Sequence, residues 1–299
     1  MFSPTSKRKI FFTFTGTLIV LSIVLLLVRG LNFGIDFTGG NTIEIDMKTE
    51  IKDFAKAEET IMGIVKSNTK AENIIIQKTG SNGIVIKTTE ISNAESEAVV
   101  KGVKEAFSLT DKNILSNEKV SGSVSSRLIT DSLKAIFIAI ILMLVYITIR
   151  FDLQSGASAV LALTHDILIM LGFYALFGLT VNTSFIAAVL TILGYSINAT
   201  IVVFDRVREN NKLKGKLTPD QIADDAVRSS YFRAINSSLT TLFTIGVLYV
   251  MGVDSIREFS LPIIVGIVAG TYSSLFIAVP FWAWWKNLAK KKGANYAKK

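Results

Sequence analysis

A small set of polar side chains lies among long apolar stretches of this 299-residue sequence, and their types suit proton transfer. Thr164, His165 and Asp166 are consecutive, and His165 is the single histidine of the chain. A lone carboxylate in apolar surroundings must pair, meet water or take up a proton. Arg233 begins a stripe of hydroxyl side chains at helical spacing, namely Ser237, Thr240, Thr241 and Thr244. Such a stripe could line a hydrated path that leads from the arginine.

The same groups also have a purely structural interpretation, which the sequence leaves open. His165 and Asp166 can hydrogen-bond a neighbouring helix and fix its packing, and Arg233 can extend its charged end to the membrane interface. Asn198 and Thr200 interrupt a further apolar run, where amide and hydroxyl side chains serve to join helices. An ionisable group inside a membrane span is nevertheless a functional hypothesis by default, because it is costly to keep there.

The composition excludes most of the chemistry of soluble enzymes. Half of the residues are apolar, 19% are charged and the mean hydropathy is +0.47, whereas a soluble domain carries about 25% charged residues. The absence of cysteine excludes disulfides and thiolate metal sites, and a single histidine argues against a multi-histidine zinc centre. No glycine-rich nucleotide loop is present. We therefore expect no catalytic residues, no metal and no cofactor in a chain that is not an enzyme.

Six apolar runs are long enough, or nearly so, to cross a bilayer, which takes about 20 residues per helix. Together with the polar segments between them they predict a multi-pass membrane protein with one domain outside the bilayer. The predicted segments are an N-terminus (1–9), spans at 10–29, 132–150, 156–179, 184–204, 234–253 and 259–285, an extracytoplasmic domain (30–131), a loop with an amphipathic helix (205–233) and a basic tail (286–299).

The positions of lysine and arginine predict that both termini are cytoplasmic. With that orientation the cytoplasmic segments hold 17 basic residues, whereas the short loops on the other side hold only Arg257. The three tryptophans, Trp282, Trp284 and Trp285, directly precede Lys286 and are typical of an interfacial belt. The net charge of +8 is thus a topology signal, and the basic tail is expected to face the lipid bilayer rather than nucleic acid.

The polar segment 30–131 reads as a small α+β domain. The order of its periodic segments is β-α-β-β-α-β, which matches a ferredoxin-like unit. Ser92 and Glu95 form a capping box before the second helix. This fold is neutral as to function, and we favour a binding or lever role over catalysis. The glycine-rich stretch before the first strand is either a tight linker or a functional motif; its residues include Gly34, Asp36, Phe37, Gly39 and Gly40.

Two further patterns concern the last spans. Gly266 and Gly270 form a small-xxx-small motif, which predicts close packing of the sixth span against another helix. Charged residues mark the cytoplasmic end of the fourth span: Asp205, Arg206, Arg208 and Glu209.

The combined motifs resemble the SecD–SecF protein-export family, in particular its SecF subunits. The segments that carry the resemblance are 34–40 (GIDFTGG), 163–166 (LTHD), 194–210 (GYSINATIVVFDRVREN), 233–241 (RAINSSLTT), 259–261 (FSL) and 266–274. They cover essentially the whole chain. Gly194, which opens the third of these segments, is expected to contribute to helix packing.

The resemblance implies a six-helix half of a membrane fold of the RND superfamily, which pairs with a similar half from SecD. It also implies a bacterial cytoplasmic membrane location and use of the proton-motive force, with protons as the coupling ion. The implied partners are SecD, the Sec channel of SecY, SecE and SecG, YajC, and unfolded secretory polypeptides.

The family's proton-linked residues are an aspartate in the fourth span and an arginine at the start of the fifth. By the resemblance the arginine corresponds to Arg233, whereas the aspartate position is occupied by Ala199, which cannot carry a proton or pair with an arginine. Three hypotheses follow: a proton-coupled secretion subunit, an assembly subunit in which SecD alone carries protons, and half of a small-molecule exporter.

Overall fold

The computed structural model describes residues 3–51, 53–71, 73–213 and 217–296, without the side chains of residues 213, 254, 255 and 290–296. The side chains of the predicted tail lysines 290–292 thus lie outside the described part. The chain divides into two compact units, one formed by residues 1–32 and 132–299 and the other by residues 33–131.

Helices dominate the chain, and short strands are concentrated in the second unit. In chain order the elements are α1 (Arg8–Val28), β1 (Asn32–Phe33), α2 (Ile35–Thr38), β2 (Gly40–Asp46), α3 (Phe54–Asn68), β3 (Ile74–Thr79), β4 (Gly83–Thr88), α4 (Asn93–Phe107), β5 (Ile114–Val120), α5 (Gly122–Arg150), α6 (Leu153–Phe177), β6 (Thr180–Val181), α7 (Thr183–Leu213), α8 (Pro219–Met251), α9 (Asp254–Ser273), a π-helical turn (Ser274–Ala278) and α10 (Val279–Tyr296).

Six helices in the described residues are long and apolar enough to cross a membrane, which confirms the predicted fold class. The sixth comprises α9, the π-helical turn and α10. Helix α8 runs without interruption from Pro219, whereas the predicted fifth span begins at residue 234. The amphipathic helix predicted in the loop before that span is therefore the first part of the same helix. Thr218 caps this start through a reciprocal capping box with Gln221.

The N-terminal segment is fastened to the start of α8 by Asp224. The Asp224 carboxylate accepts hydrogen bonds from the Ser3 hydroxyl, from the Thr5 amide at 2.9 Å and from the Thr5 hydroxyl at 2.8 Å. One turn earlier on α8, Asp220 also joins distant parts of the chain. It pairs with Arg8 at 3.3 Å and accepts from the Asn287 side chain of α10 at 2.8 Å.

Asp152 and Lys286 make a further link on this side of the helix bundle, at 2.9 Å. Burial opposes ionisation of Asp152, but hydrogen bonds from Lys286 and Ser155 outweigh it and lower the pKa of the carboxyl below its ordinary value. The first membrane helix therefore begins at the same surface at which α8 begins, and the last membrane helix ends there. We call this surface the basic side, since it also carries Lys7, Arg150 and Arg206.

The unit of residues 33–131 contains a four-stranded antiparallel sheet with strand order β3-β4-β2-β5. The elements follow the predicted β-α-β-β-α-β order, and α3 and α4 contribute the helical side of one core. Alternation along β2 buries Ile43 and Ile45, while Thr42 and Glu44 point the other way. The fully buried residues of this core are Ile45, Ile61, Val65, Ile84, Ile86, Val99 and Val103.

Helix α4 begins at the predicted capping box. Glu95 accepts from the Ser92 backbone amide at 2.8 Å, and the Ser92 hydroxyl accepts from the Glu95 amide at 3.2 Å. These hydrogen bonds to the Ser92 backbone and side chain lower the pKa of Glu95, so the cap is ionised and intact at neutral pH.

Candidate intramembrane site

Close packing of α7 against α9 brings the polar residues of the membrane helices together. A Cβ atom at Gly266 would lie 2.5 Å from Ile192, and one at Gly270 would lie 3.0 Å from the Ser196 side chain. A side chain at either position would require its neighbour to move, so the two glycines permit the close approach that the small-xxx-small motif predicts. Gly194 lies on an exposed face of α7, and a Cβ there would meet no atom within 4 Å. Its predicted packing role is not found among the described residues.

Asp166 is the centre of a buried hydrogen-bond cluster that joins α6, α7 and α9. Its carboxylate is 1% exposed and accepts from the Ser196 hydroxyl at 2.6 Å and from the Ser273 hydroxyl at 3.0 Å. His165 Nδ1 lies 2.9 Å from the other carboxylate oxygen. Three neighbouring groups therefore satisfy one intramembrane carboxylate, which meets the requirement that buried charged or polar groups be hydrogen-bonded.

His165 is held by this cluster on one side only. Its Nε2 atom is buried and has no hydrogen-bond partner in the described part of the chain. The imidazole ring lies beside the Tyr272 ring, with 6.1 Å between the centroids. The Nδ1 atom of the His165 ring thus faces Asp166, and the ring packs against Tyr272.

The cluster continues into the π-helical turn between α9 and α10. The hydroxyl groups of Thr200 and Ser274 lie 2.8 Å apart, and the Ser274 hydroxyl also approaches the Ser196 carbonyl oxygen at 3.4 Å. Single π-helical turns inside α-helices are frequent at functional sites. Here Ser274, the first residue of the turn, contacts α7, whereas Ser273 directly before it contacts Asp166 of α6.

Arg233 lies in a different place, at a polar cavity of about 110 Å³ between α7 and α8. From α7 the lining includes Tyr195, Asn198 and Ala199, and from α8 it includes Arg233 and Ser237. Within the described residues the structure gives Arg233 no ion pair. A cationic side chain in this position calls for an anion, and Ala199 on the facing helix cannot supply one.

The hydroxyl stripe of α8 is only partly in this cavity. Ser237 lines it, whereas the Thr240 and Thr241 hydroxyls donate to the Ser237 carbonyl oxygen at 2.9 and 3.0 Å. The Tyr195 hydroxyl reaches across from α7 and donates to the same carbonyl at 3.1 Å. Thr240 and Thr241 thus mainly hydrogen-bond the backbone of the preceding turn of α8.

Predicted and newly found site residues therefore fall into two groups on two faces of α7. One group, which we call the buried cluster, contains His165, Asp166, Thr200, Ser196, Ser273 and Ser274. The other, which we call the arginine cavity, contains Asn198, Ala199, Arg233 and Ser237, together with Tyr195, Val202, Ala234 and Ser238. The structure does not bring Asp166 into the arginine cavity.

The charged motif at the end of the fourth span forms ion pairs on the basic side. Asp205 pairs with Arg150 of α5 at 3.5 Å and with Arg208 at 3.6 Å, and Arg206 pairs with Glu209 at 2.6 Å. These side chains are partly exposed, so they align helix ends rather than enter either group.

The glycine-rich stretch before β2 forms a tight turn that requires glycine. Gly39 and Gly40 have φ angles of 70° and 113°, which side chains rarely tolerate, and a Cβ on Gly40 would collide with the Thr88 carbonyl oxygen of β4. The preceding short helix α2 contains Asp36 and Phe37, and Phe37 packs edge-on to Phe33 at 6.3 Å. The motif therefore sets how the chain enters the sheet.

We expect Gly40→Ala to destabilise the four-stranded sheet by about 2–3 kcal/mol, since it adds both backbone strain and a collision. Hydrogen exchange of the β2 and β4 amides in the full chain measures this loss. Gly63→Ala in α3 is the matched control, because a Cβ there meets no atom within 4 Å and alanine favours a helix. Equal exchange in the two variants would contradict the steric account.

The described residues contain no group of three or more His, Asp or Glu side chains placed to hold a metal ion. Acid, hydroxyl, amide and arginine groups inside apolar helices can exchange protons or relay helix movements. Fold and site together define a polytopic membrane protein that has a small domain outside the spans and a polar centre within them.

The chain belongs to the SecD/SecF protein-export family. A family model described as protein export membrane protein SecD/SecF, C-terminal, matches residues 99–288, and one described as the SecD/SecF GG motif matches residues 24–51. The protein translocase subunit SecF of Sebaldella termitidis is 35% identical over 91% of this chain and 88% of its own length. The family carries a role in protein translocation, and its members are named as translocase subunits.

Some relatives are longer proteins. The protein translocase subunit SecDF of Bacillus subtilis is 36% identical over 96% of this chain, which covers 38% of that protein. The crystal structure of SecDF from Thermus thermophilus, a translocon-associated membrane protein, matches 96% of this chain with a TM-score of 0.84 and 30% identity. This chain spans 39% of that structure.

Proposed function

We propose that this chain uses the proton-motive force to assist the translocation and release of secreted polypeptides. It acts in the bacterial cytoplasmic membrane, with both termini on the cytoplasmic face. The observation that carries the proposal is Arg233, a cation at a polar cavity between two membrane-spanning helices with no ion pair in the described residues. Protons are the coupling ion, and no further cofactor is required.

A second membrane subunit completes the arginine cavity in this proposal. Tyr195 and Asn198 line it together with Arg233, and Asn198 and Arg233 are exposed in the single chain. Polar surface of this kind is not stable against lipid, so a helix of another subunit covers it. SecDF relatives join a longer SecD-containing part to a region similar to this chain, which favours SecD as that subunit. SecD then supplies the missing carboxylate.

The further partners in the proposal are the Sec channel of SecY, SecE and SecG, YajC, and unfolded secretory polypeptides. The outer unit of residues 33–131 contacts the polypeptide or transmits movement to it. One observation favours a second candidate function: Ala199 removes the titratable group from this chain's own side of the cavity. In that case the chain is an assembly subunit, and SecD alone carries protons.

Arg233→Met tests the proposal, because methionine keeps much of the side-chain length and removes the charge. We expect gradient-dependent export of a secretory reporter to fall to the level seen after the gradient is collapsed. Export is measured in cells that contain the complete complex, with and without an ionophore.

Arg127→Met is the control for loss of a positive charge, since Arg127 is strongly exposed and, among the described residues, its one ion pair is the 4.0 Å contact with Asp131. Export that remains gradient-dependent in Arg233→Met would favour the assembly subunit. Loss of small-molecule efflux with intact protein export would favour the exporter hypothesis.

A further inference from the structure

An apolar groove of about 270 Å³ lies between α8 and α9, and it shares only the Ser238 side chain with the lining described for the arginine cavity. Ile235, Leu239 and Leu242 form its α8 wall. At ~100° per residue their face is rotated by about half a turn from the face of Arg233 and Ser237. Helix α8 therefore presents a polar surface in one direction and this groove in another.

The opposite wall is aromatic and supported from behind. Tyr272 and Phe276 line the groove, and Phe11 of α1 stacks on Phe276 with 4.6 Å between ring centroids. Phe14 packs edge-on to Tyr272 at 5.8 Å, and the Tyr272 hydroxyl donates to the Phe11 carbonyl oxygen at 3.3 Å. These contacts fix the wall without closing the groove.

The polar atoms at the groove are already satisfied. Ser238 and Thr271 lie at its base, and their hydroxyl oxygens are 2.6 Å apart. Thr271 also donates to the Ile267 carbonyl oxygen at 2.7 Å. A ligand of the groove would therefore bind through apolar contacts and not through hydrogen bonds.

The position of the groove matches one leaflet of the bilayer. From Ile235 to Leu242 it extends about 10 Å along α8, and one leaflet of the hydrocarbon core is about 15 Å thick. Arg228 lies seven residues before Ile235, on the same face and about 10 Å nearer the basic side. Lys7 precedes Phe11 by one turn of α1. Both cations are exposed, and Arg228 also pairs with Asp225 of its own helix at 3.9 Å. We expect lipid head groups at this level of the helices.

We propose that this groove binds an acyl chain of an anionic phospholipid, whose phosphate is held near Arg228 and Lys7. We choose a lipid as the occupant because α8 has one polar surface and one apolar surface. A protein partner belongs on the polar side, where exposed Asn198 and Arg233 need cover, whereas the apolar side with its cationic end suits a lipid. Leu239 is 42% exposed and Val268 is 56% exposed, so a chain can enter sideways from the membrane.

Photo-crosslinking of the full chain, in its complex and in bilayers, tests the proposal. The probe is phosphatidylglycerol with a photoreactive group in one acyl chain, and labelled peptides are located by mass spectrometry. We expect label within residues 235–242 and 268–276. Leu239→Trp fills the groove and should remove most of that label. Leu142→Trp is the control, because Leu142 is 62% exposed on α5 and lies outside the groove.

A second variant tests the head-group contact. Arg228→Gln should lower labelling by phosphatidylglycerol about fivefold and leave labelling by a phosphatidylethanolamine probe unchanged. Equal labelling in Leu239→Trp and the unmodified chain would overturn the lipid site. Crosslinks from the groove to another protein subunit instead of lipid would overturn it as well, and equal loss of both probes in Arg228→Gln would overturn the anionic preference.

Discussion

Ala199→Asp should raise gradient-dependent export several-fold, because it places a carboxylate in the arginine cavity opposite Arg233. The cavity of about 110 Å³ has room for the added group, since one water molecule occupies about 30 Å³ of liquid. Arg233 is exposed in the single chain, so solvent weakens the new ion pair. We expect a gain of about 1 kcal/mol in thermal stability of the complex, together with a carboxylate that can exchange protons.

Ala199→Asn is the matched control, because it has nearly the same size and cannot ionise at neutral pH. It should leave both export and stability at the level of the unmodified chain. The double variant Ala199→Asp with Arg233→Met should lose the gain. If Ala199→Asp and Ala199→Asn behave alike in export and in melting temperature, the position has no role in coupling and the assembly function is favoured.

Asp166→Ala should destabilise the membrane bundle by about 3 kcal/mol or more. The substitution leaves the Ser196 hydroxyl and the His165 Nδ1 atom without their partner, and each buried unsatisfied group costs about 1–3 kcal/mol. The Ser273 hydroxyl keeps the Gly270 carbonyl oxygen at 3.2 Å. Asp166→Asn should cost less, since it keeps the volume and one acceptor oxygen. Melting temperatures of the purified complex measure the order of the three proteins.

Removing a donor together with the acceptor sharpens this test. In Asp166→Ala with Ser196→Ala, one donor no longer lacks a partner, so the double variant should be more stable than the sum of the single losses predicts. Because Asp166 lies outside the arginine cavity, Asp166→Asn should retain gradient-dependent export. Loss of that dependence at nearly unchanged stability would instead assign Asp166 to the proton path, and strictly additive losses would contradict the buried cluster.

The sequence predicts the membrane helices and the fold of residues 33–131 well, because both depend on local patterns. Apolar runs define spans wherever they occur, and alternation in residues 41–47 defines β2 before any partner strand is known. The junction between loop and fifth span was harder to predict. No proline or glycine separates Arg228 from Ala234, so one helix continues through both.

The candidate site was predicted by residue but not by grouping. Asp166 and Arg233 are conspicuous in sequence since charges are rare in spans, but nothing local shows that they face different neighbours. Ser196 and Ser273 were missed, because serine is common in membrane helices and only the approach of α7 and α9 to α6 brings their hydroxyls to Asp166. The predicted packing role of Gly194 stays a prediction, since its exposed face has no neighbouring helix within the described residues.

The side-chain contacts of Asp220 with Arg8 and Asn287 join segments of the chain that are synthesised at different times. Arg8 leaves the ribosome at the start of the six described spans, whereas Asn287 leaves it at their end. The start of the fifth span can therefore contact the first span early, but it acquires both of its partners only after the sixth span has been inserted. The two contacts of Asp220 are therefore both present only after all six helices have been inserted. A chain truncated before α10 would form the contact with Arg8 but not the contact with Asn287.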